Sequence, residues 1–296
     1  MSALGKYVNP FTDFGFKRLF GEEAHKGLLQ DFLNELLPIT DKITKITFKS
    51  PEQMGDTAKD RRAVYDIYCT TQTGAFFIVE MQKAFQAYFK DHTIFYTTFP
   101  IRAQAKKGKW DYKLSMVYCV AILSFEFAQE DVLTTEEEIF EDDYLHKVEL
   151  KDQHNRPFYR KLKYLFIEMP RFEKTEEELT TRFEKWIYFL KNLEDFNEIP
   201  AILNEPIFQE AFEVARVANF DKKELNEYHE SYKNYNDLNN VIDSAVDKAV
   251  DKRVREIIIR NLKGGKLSIE EIAEYNDVSV ELVLAIQQAL KNEQDE

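Results

Sequence analysis

Cysteine is nearly absent from this 296-residue chain, and the two that occur, Cys69 and Cys119, sit in separate apolar runs with no C-x-x-C spacing. That excludes a disulfide-stapled scaffold and argues against structural zinc; buried free thiols in a reducing compartment are expected. No uninterrupted apolar run approaches the roughly 18 residues that a membrane span requires. The opening MSALGKYVNP lacks the apolar stretch of a secretory leader. A soluble, cytoplasmic protein is the expectation. Positive charge is also in short supply, for the chain carries a net charge of −13. Taken whole, that speaks against a nucleic-acid partner, but the distribution is uneven. Residues 1–120 hold 17 Lys and Arg against 13 Asp and Glu, a net of +4, whereas residues 121–296 hold 23 against 40, a net of −17. Such asymmetry bears on partners and not on fold.

What the first half does contain is a hairpin pattern, VYDIYCTTQTGAFFIVEMQK, from Val64 to Lys83. Two runs of β-branched and aromatic residues flank Thr73-Gly74, which supplies turn chemistry. If the pair closes about Thr73, Asp66 lies opposite Glu80 with Cβ atoms roughly 5 Å apart. Gln82 then falls on the same face, about 6.6 Å further along. Two carboxylates that close repel by roughly 3 kcal/mol at an effective dielectric near 20. The repulsion is relieved by protonating one carboxyl or by placing a cation between them. Oxygen ligands at this spacing suit Mg²⁺, which keeps several waters and also takes a phosphate oxygen. That combination serves metal-assisted phosphodiester hydrolysis. The plainer alternative is an edge hairpin whose Asp and Glu merely face water.

Asp66 followed by Glu80-x-Gln82 on a hairpin resembles the signature of the PD-(D/E)XK nucleases. The wider chain resembles the recombination-promoting nuclease or transposase-like branch of that superfamily. The likeness is carried by Asn9-Pro10-Phe11-Thr12-Asp13-Phe14-Gly15-Phe16-Lys17, by Phe77–Gln82, by Tyr96-Thr97-Thr98-Phe99-Pro100, by Phe166–Phe172 and by Glu184–Leu190. It spans roughly residues 7 to 240. The resemblance implies a DNA endonuclease in which Asp66 and Glu80 hold Mg²⁺ or Mn²⁺, with the Met81 carbonyl as a further ligand. Gln82 stands where the usual lysine would orient the attacking water. An N-terminal helix contributes an acidic residue in such proteins; Asp13 is the candidate here, with Lys17 one turn on to hold phosphate. Asp13 reads alternatively as a simple N-cap. Gln104 matches a position near the active site of relatives. Strand alternation sends Lys83 to the opposite face. A rival reading, motivated by Gln82 and the acidic second half, is a catalytically weakened nuclease fold serving as a DNA-binding or protein-interaction module.

Elsewhere the pattern predicts a helix over 11–37 broken near Gly21 and Gly27, a strand over 43–50, and a helix over 84–107 kinked at Pro100. Arg102, Lys106, Lys107 and Lys109 make the densest basic cluster of the first half and are candidate backbone-phosphate contacts. Leu114–Leu123 reads as a strand buried on both faces. Tyr144–Leu150 and Lys161–Glu168 read as two more strands. The fold expected is α+β, a central mixed sheet flanked by helices in a restriction-endonuclease-like core, followed by an all-helical C-terminal region. The boundaries expected are a nuclease-like domain over 1–172, a helical extension over 173–240 and a helical tail over 241–296. In the tail, Val246, Val250, Val254, Ile257 and Ile258 form an apolar seam that points to a homo-oligomer. Ser268–Glu281 resembles a helix-turn-helix, but its second helix offers no Lys or Arg for base readout, so a packing hairpin is expected.

Overall fold

The computed structural model describes residues 5–37, 42–53, 63–84, 86, 88–105, 111–127 and 144–292. The chain divides into two compact units, 1–233 and 234–296.

In the first unit, α1 (Asp13–Phe20) and α2 (Lys26–Leu36) replace the single broken helix of the sequence pattern. The segment before α1 is a tight knot of local bonds. Thr12 Oγ1 donates to Asn9 O at 2.7 Å and accepts from Gly15 N–H at 3.0 Å, so Thr12 and not Asp13 is the N-cap. Any Cβ at position 15 would lie 2.1 Å from Asn9 O, so only glycine allows this close turn. Asp13 is thereby freed to project from the first turn.

The strands are β1 (Ile46–Phe48), β2 (Glu52–Gln53), β3 (Ala63–Val64), β4 (Ile67–Thr71), β5 (Phe76–Gln82), β6 (Val117–Leu123), β7 (Leu145–Lys151) and β8 (Pro157–Glu168). Six of them form a mixed sheet in the order β1-β4-β5-β6-β8-β7, with β5, β6 and β8 mutually parallel; β2 and β3 pair separately. All seven residues of β6 are buried, as an interior strand of a two-sided sheet requires.

Helices cover both faces. Against one face pack α1, α2, α4 (Arg182–Asn192) and α5 (Pro206–Ala215), and Trp186, Phe189, Phe208 and Phe212 share one core with Phe20, Val79 and Val120. The segments that follow residue 172 therefore bury their apolar stripes in the core of the sheet. Against the other face lies α3 (Phe89–Arg102), whose Phe89 and Phe99 pack with Tyr68, Ile78 and Phe166. Both cysteines are free and buried, and burial pushes the Cys69 thiol up to about 12.

α6 (Lys222–Gly264) begins in the first unit, where Tyr228 is buried, and ends in the second. There Ile258 packs with Ile272 and Ala273 of α7 (Ile269–Tyr275) and with Val283 and Ile286 of α8 (Val280–Asn292). Ser268 caps α7 in a box with Glu271, as its sequence anticipates. The apolar seam is thus divided, since Ile258 is consumed by this small core while Val246 and Val250 each remain 54% exposed. Among the described residues no helix is long and apolar enough to cross a membrane.

Candidate active site

The hairpin closes as its sequence implies. Thr71 N–H donates to Ala75 O and Gly74 N–H to Thr71 O, each at 3.0 Å, and Gly74 takes the left-handed φ of 75° that favours glycine. Ile67 pairs with Val79 and Cys69 with Phe77, a register that, carried one step beyond its last pair, sets Asp66 opposite Glu80. Glu80 and Gln82 alternate with the core residues of the opposite face, so they rise from the sheet on the side of Ile78, which α3 covers. Asp66 stands one residue before β4, at a bend.

Asp66 Oδ2 accepts a hydrogen bond from Met81 N–H at 2.7 Å. Gln82 O accepts from Ser124 N–H at 3.0 Å, on the β6 side. Alternation therefore turns the main-chain groups of Met81 toward Asp66. Glu80 Oε1 is buried and has no hydrogen-bond partner. Burial raises the carboxyl of Glu80 well above its ordinary range, and the neighbouring Asp66 raises it further; the Asp66 N–H and Lys17 only partly oppose this. Asp66 is raised too, by burial first, against the Met81 N–H bond that favours its charge.

A third carboxylate at the same end of the sheet shows how a satisfied one differs. Glu168 is in register with Leu123 of β6, which is in register with Gln82. It is 1% exposed, yet its Oε1 accepts from Phe127 N–H at 2.8 Å, and Arg171 Nε lies 2.6 Å from Oε2. Burial raises Glu168, but hydrogen bonds from His146 and Phe127 with the charge of Arg171 outweigh it and hold the group below its usual range. Each Glu168 oxygen meets a donor or a cation, whereas Glu80 is met by the Asp66 N–H alone and its Oε1 has neither.

An orphaned buried carboxylate oxygen beside a second carboxylate fits a divalent cation. Among the described residues no cluster of three or more His, Cys, Asp or Glu side chains gathers to hold a metal. A hard ion here would complete its shell with main-chain oxygen and water, as Mg²⁺ commonly does.

The remaining sequence candidates fall at different distances from this pair. Asp13 and Lys17 form an exposed ion pair at 2.8 Å on α1, and both exert their charge on the hairpin, Asp13 on Asp66 and Lys17 on Asp66 and Glu80. Gln82 folds its amide back, with Nε2 donating to Ala84 O at 3.1 Å. Gln104 is turned to the scaffold: Oε1 accepts from Ser115 N–H at 2.6 Å and Nε2 donates to Pro100 O at 3.1 Å. Arg102 lies at the exposed end of α3, while Lys106, Lys107 and Lys109 lie outside the described residues. Lys83 departs from the alternation argument. β5 stops at Gln82, so the period of two no longer fixes its side, and Lys83 interacts electrostatically with Asp13, Asp66 and Lys17. Burial lowers its ammonium while the two aspartates favour the charged form.

One matched family accounts for this arrangement. Its sequence model, described as PD-(D/E)XK nuclease family transposase, matches residues 10–245. The chain belongs to this family. The match takes in α1, the hairpin, α3 and the helices through α5, and stops within α6. No curated protein and no solved structure matches the chain. As a PD-(D/E)XK nuclease family transposase it carries a nuclease-type fold, with the mixed sheet and flanking helices described above.

Two tyrosines beside the carboxylates were not legible as site residues. Pro100 lies inside α3 and has no N–H to give the Tyr96 carbonyl one turn earlier. That carbonyl instead accepts from the hydroxyl of Tyr65, the neighbour of Asp66, at 3.0 Å. The Tyr96 hydroxyl in turn donates to Val64 O at 3.2 Å. Proline in the helix thus ties α3 to the strand end that presents Asp66. Tyr65→Phe strands the Tyr96 carbonyl and is expected to cost about 1–3 kcal/mol. Urea unfolding in chelator reads this, and an unchanged midpoint would show that the carbonyl finds another donor.

Proposed function

We propose that the chain is a metal-dependent endonuclease that hydrolyses phosphodiester bonds in DNA, in the setting of recombination or of a mobile element. The observation that carries this reading is the buried Glu80 oxygen without a partner, beside Asp66 on a hairpin whose register makes them face each other. In this reading Asp66 and Glu80 hold Mg²⁺ or Mn²⁺, and the Met81 carbonyl, turned to the same side as its N–H, is a third ligand. The ion, when bound, supplies Lewis-acid polarisation and a more acidic water.

The chain's own groups do the rest. Lys17 and Lys83 contribute positive charge on either side of Asp66 and Asp13, where a phosphate would gather. Lys83 takes up the charge that Gln82 lacks, and Gln82 orients the attacking water through its amide oxygen, since its nitrogen is bound to Ala84 O. Asp13 holds Lys17 through their ion pair. Arg102, Lys106, Lys107 and Lys109 contribute backbone-phosphate contacts. Supercoiled plasmid incubated with Mg²⁺ or Mn²⁺, against a chelator control, tests the activity. Nicking only with metal is expected; intact plasmid in both would favour the binding-module alternative.

A second copy of the chain is the partner proposed for α6. Val246 and Val250 are more than half exposed one turn apart, and the sequence around them, Asp243, Asp247, Lys248, Asp251 and Lys252, carries both signs. Val246→Glu with Val250→Glu is expected to reduce the mass per particle in light scattering, as is deletion of 241–296. Tyr228 remains in the deleted form, so the first unit keeps its core. Identical masses before and after would reject this association.

A further inference from the structure

Which form of DNA approaches the carboxylates turns on the exposed flank of α3. Within α3, His92, Phe95 and Arg102 lie along one flank of the helix, and Tyr88 stands just before it, at the N-cap, in a left-handed conformation with φ 66°. Tyr88 is 81% exposed and Phe95 40% exposed. The Phe95 ring is not loose, because buried Phe99 stands edge-on against it, with centroids 5.2 Å apart at 89°.

This flank borders the site. The His92 ring lies 3.9 Å from that of Tyr96, whose hydroxyl bonds to Val64 O two residues before Asp66. Glu80 and Asp66 also project from the sheet face that α3 covers. The sequence that continues from the end of α3 is basic, with five Lys and Arg against one Asp over residues 102–113. Exposed aromatic rings beside positive charge are what a strand of unpaired bases stacks on, whereas a paired duplex keeps its base faces hidden.

We infer that the exposed flank of α3 around Phe95 is a stacking platform for an unpaired DNA strand, with Phe95 as its fixed ring and Tyr88, just before the helix, as a second, so that single-stranded or locally melted DNA is what reaches Asp66 and Glu80. The inference rests on the nuclease reading for its purpose, and its test is independent of cleavage.

Full-length protein in chelator is titrated into a labelled oligothymidine of about 20 nucleotides and into a duplex of the same length, read by fluorescence anisotropy. The single strand is expected to bind about tenfold more tightly than the duplex. Phe95→Ala should lower single-strand affinity about tenfold and leave duplex affinity unchanged, Tyr88→Ala should do so to a smaller degree, and circular dichroism should be unaltered. Phe95→Trp should restore the affinity, and its indole fluorescence should be quenched by the oligonucleotide. Equal binding of both DNA forms, or single-strand affinity indifferent to Phe95→Ala in a folded protein, overturns the platform. Single-strand binding through Phe95 without any metal-dependent cleavage would sink the nuclease reading and sustain this one. Cleavage with no role for Phe95 would do the reverse.

Discussion

Glu80→Ala and Asp66→Ala are each expected to reduce metal-dependent cleavage of DNA by about a thousandfold or more, with the fold intact. A bound divalent ion supplies several kcal/mol of charge stabilisation in phosphoryl transfer. Losing about 4 kcal/mol of it corresponds to about three factors of ten in rate. Both side chains lie beyond the last pair of the β4–β5 ladder, so truncation leaves the ladder from Ile67 to Thr70 untouched. Gln82→Ala and Lys83→Ala should have smaller effects, because they address water orientation and phosphate charge and not the ion itself. Plasmid nicking by matched, folded preparations measures all four. Unabated metal-dependent nicking by both carboxylate variants would remove Asp66 and Glu80 from the active site.

The second large effect is on stability and needs no substrate. Without metal, two raised carboxyls face each other, so Asp66→Asn should leave the protein as stable as wild type or slightly more so. The pH dependence has a definite sign. A carboxyl whose folded pKa lies above its unfolded value favours the folded state most when protonated. In chelator, wild type should therefore lose stability as pH rises from the ordinary carboxylate range, near 4.5, through the higher folded value of Glu80. Glu80→Gln, which has nothing to titrate there, should lack that part of the decline. Mg²⁺ or Mn²⁺ at a hundredfold excess over its dissociation constant should stabilise wild type by about 2.7 kcal/mol. Most of that gain should vanish in Asp66→Asn, since an amide oxygen replaces an anionic ligand. Thermal melts across pH, with chelator and with metal, contain the comparison. Equal metal-induced shifts in wild type and Asp66→Asn would mean that the ion binds elsewhere.

The facing carboxylates could be read from residue order because a hairpin is local. Gly74 sets the turn, and a period of two carries the register from Thr71 and Ala75 outward to Asp66 and Glu80. The buried interior strand was equally plain, since an unbroken apolar run has few other places to go. What could not be read depends on where patterns stop or on what lies far away in sequence. Lys83 was assigned by alternation to the far face, but the strand ends one residue earlier. Gln104 looked like a site residue and proved to brace Ser115 and Pro100. The helical extension after residue 172 showed a core stripe at helical spacing, but not that Trp186 and Phe212 share the core of the sheet, a matter of long-range packing. The contrast between Glu80 and Glu168 was hidden for the same reason, for it lies wholly in their partners.

The bond from the Tyr65 hydroxyl to the Tyr96 carbonyl exists because position 100 is proline. An alanine there would return an amide N–H to that carbonyl and compete with the phenol, which is 1% exposed and has little water to turn to. Phenylalanine at 65 with proline at 100 leaves a carbonyl bare; tyrosine at 65 with alanine at 100 leaves a phenol in competition; phenylalanine with alanine restores a complete helix and asks for no phenol. Positions 65 and 100 therefore behave as a single inherited unit. In a lineage of this chain they should change together or not at all, and the harm of either change should depend on the state of the other.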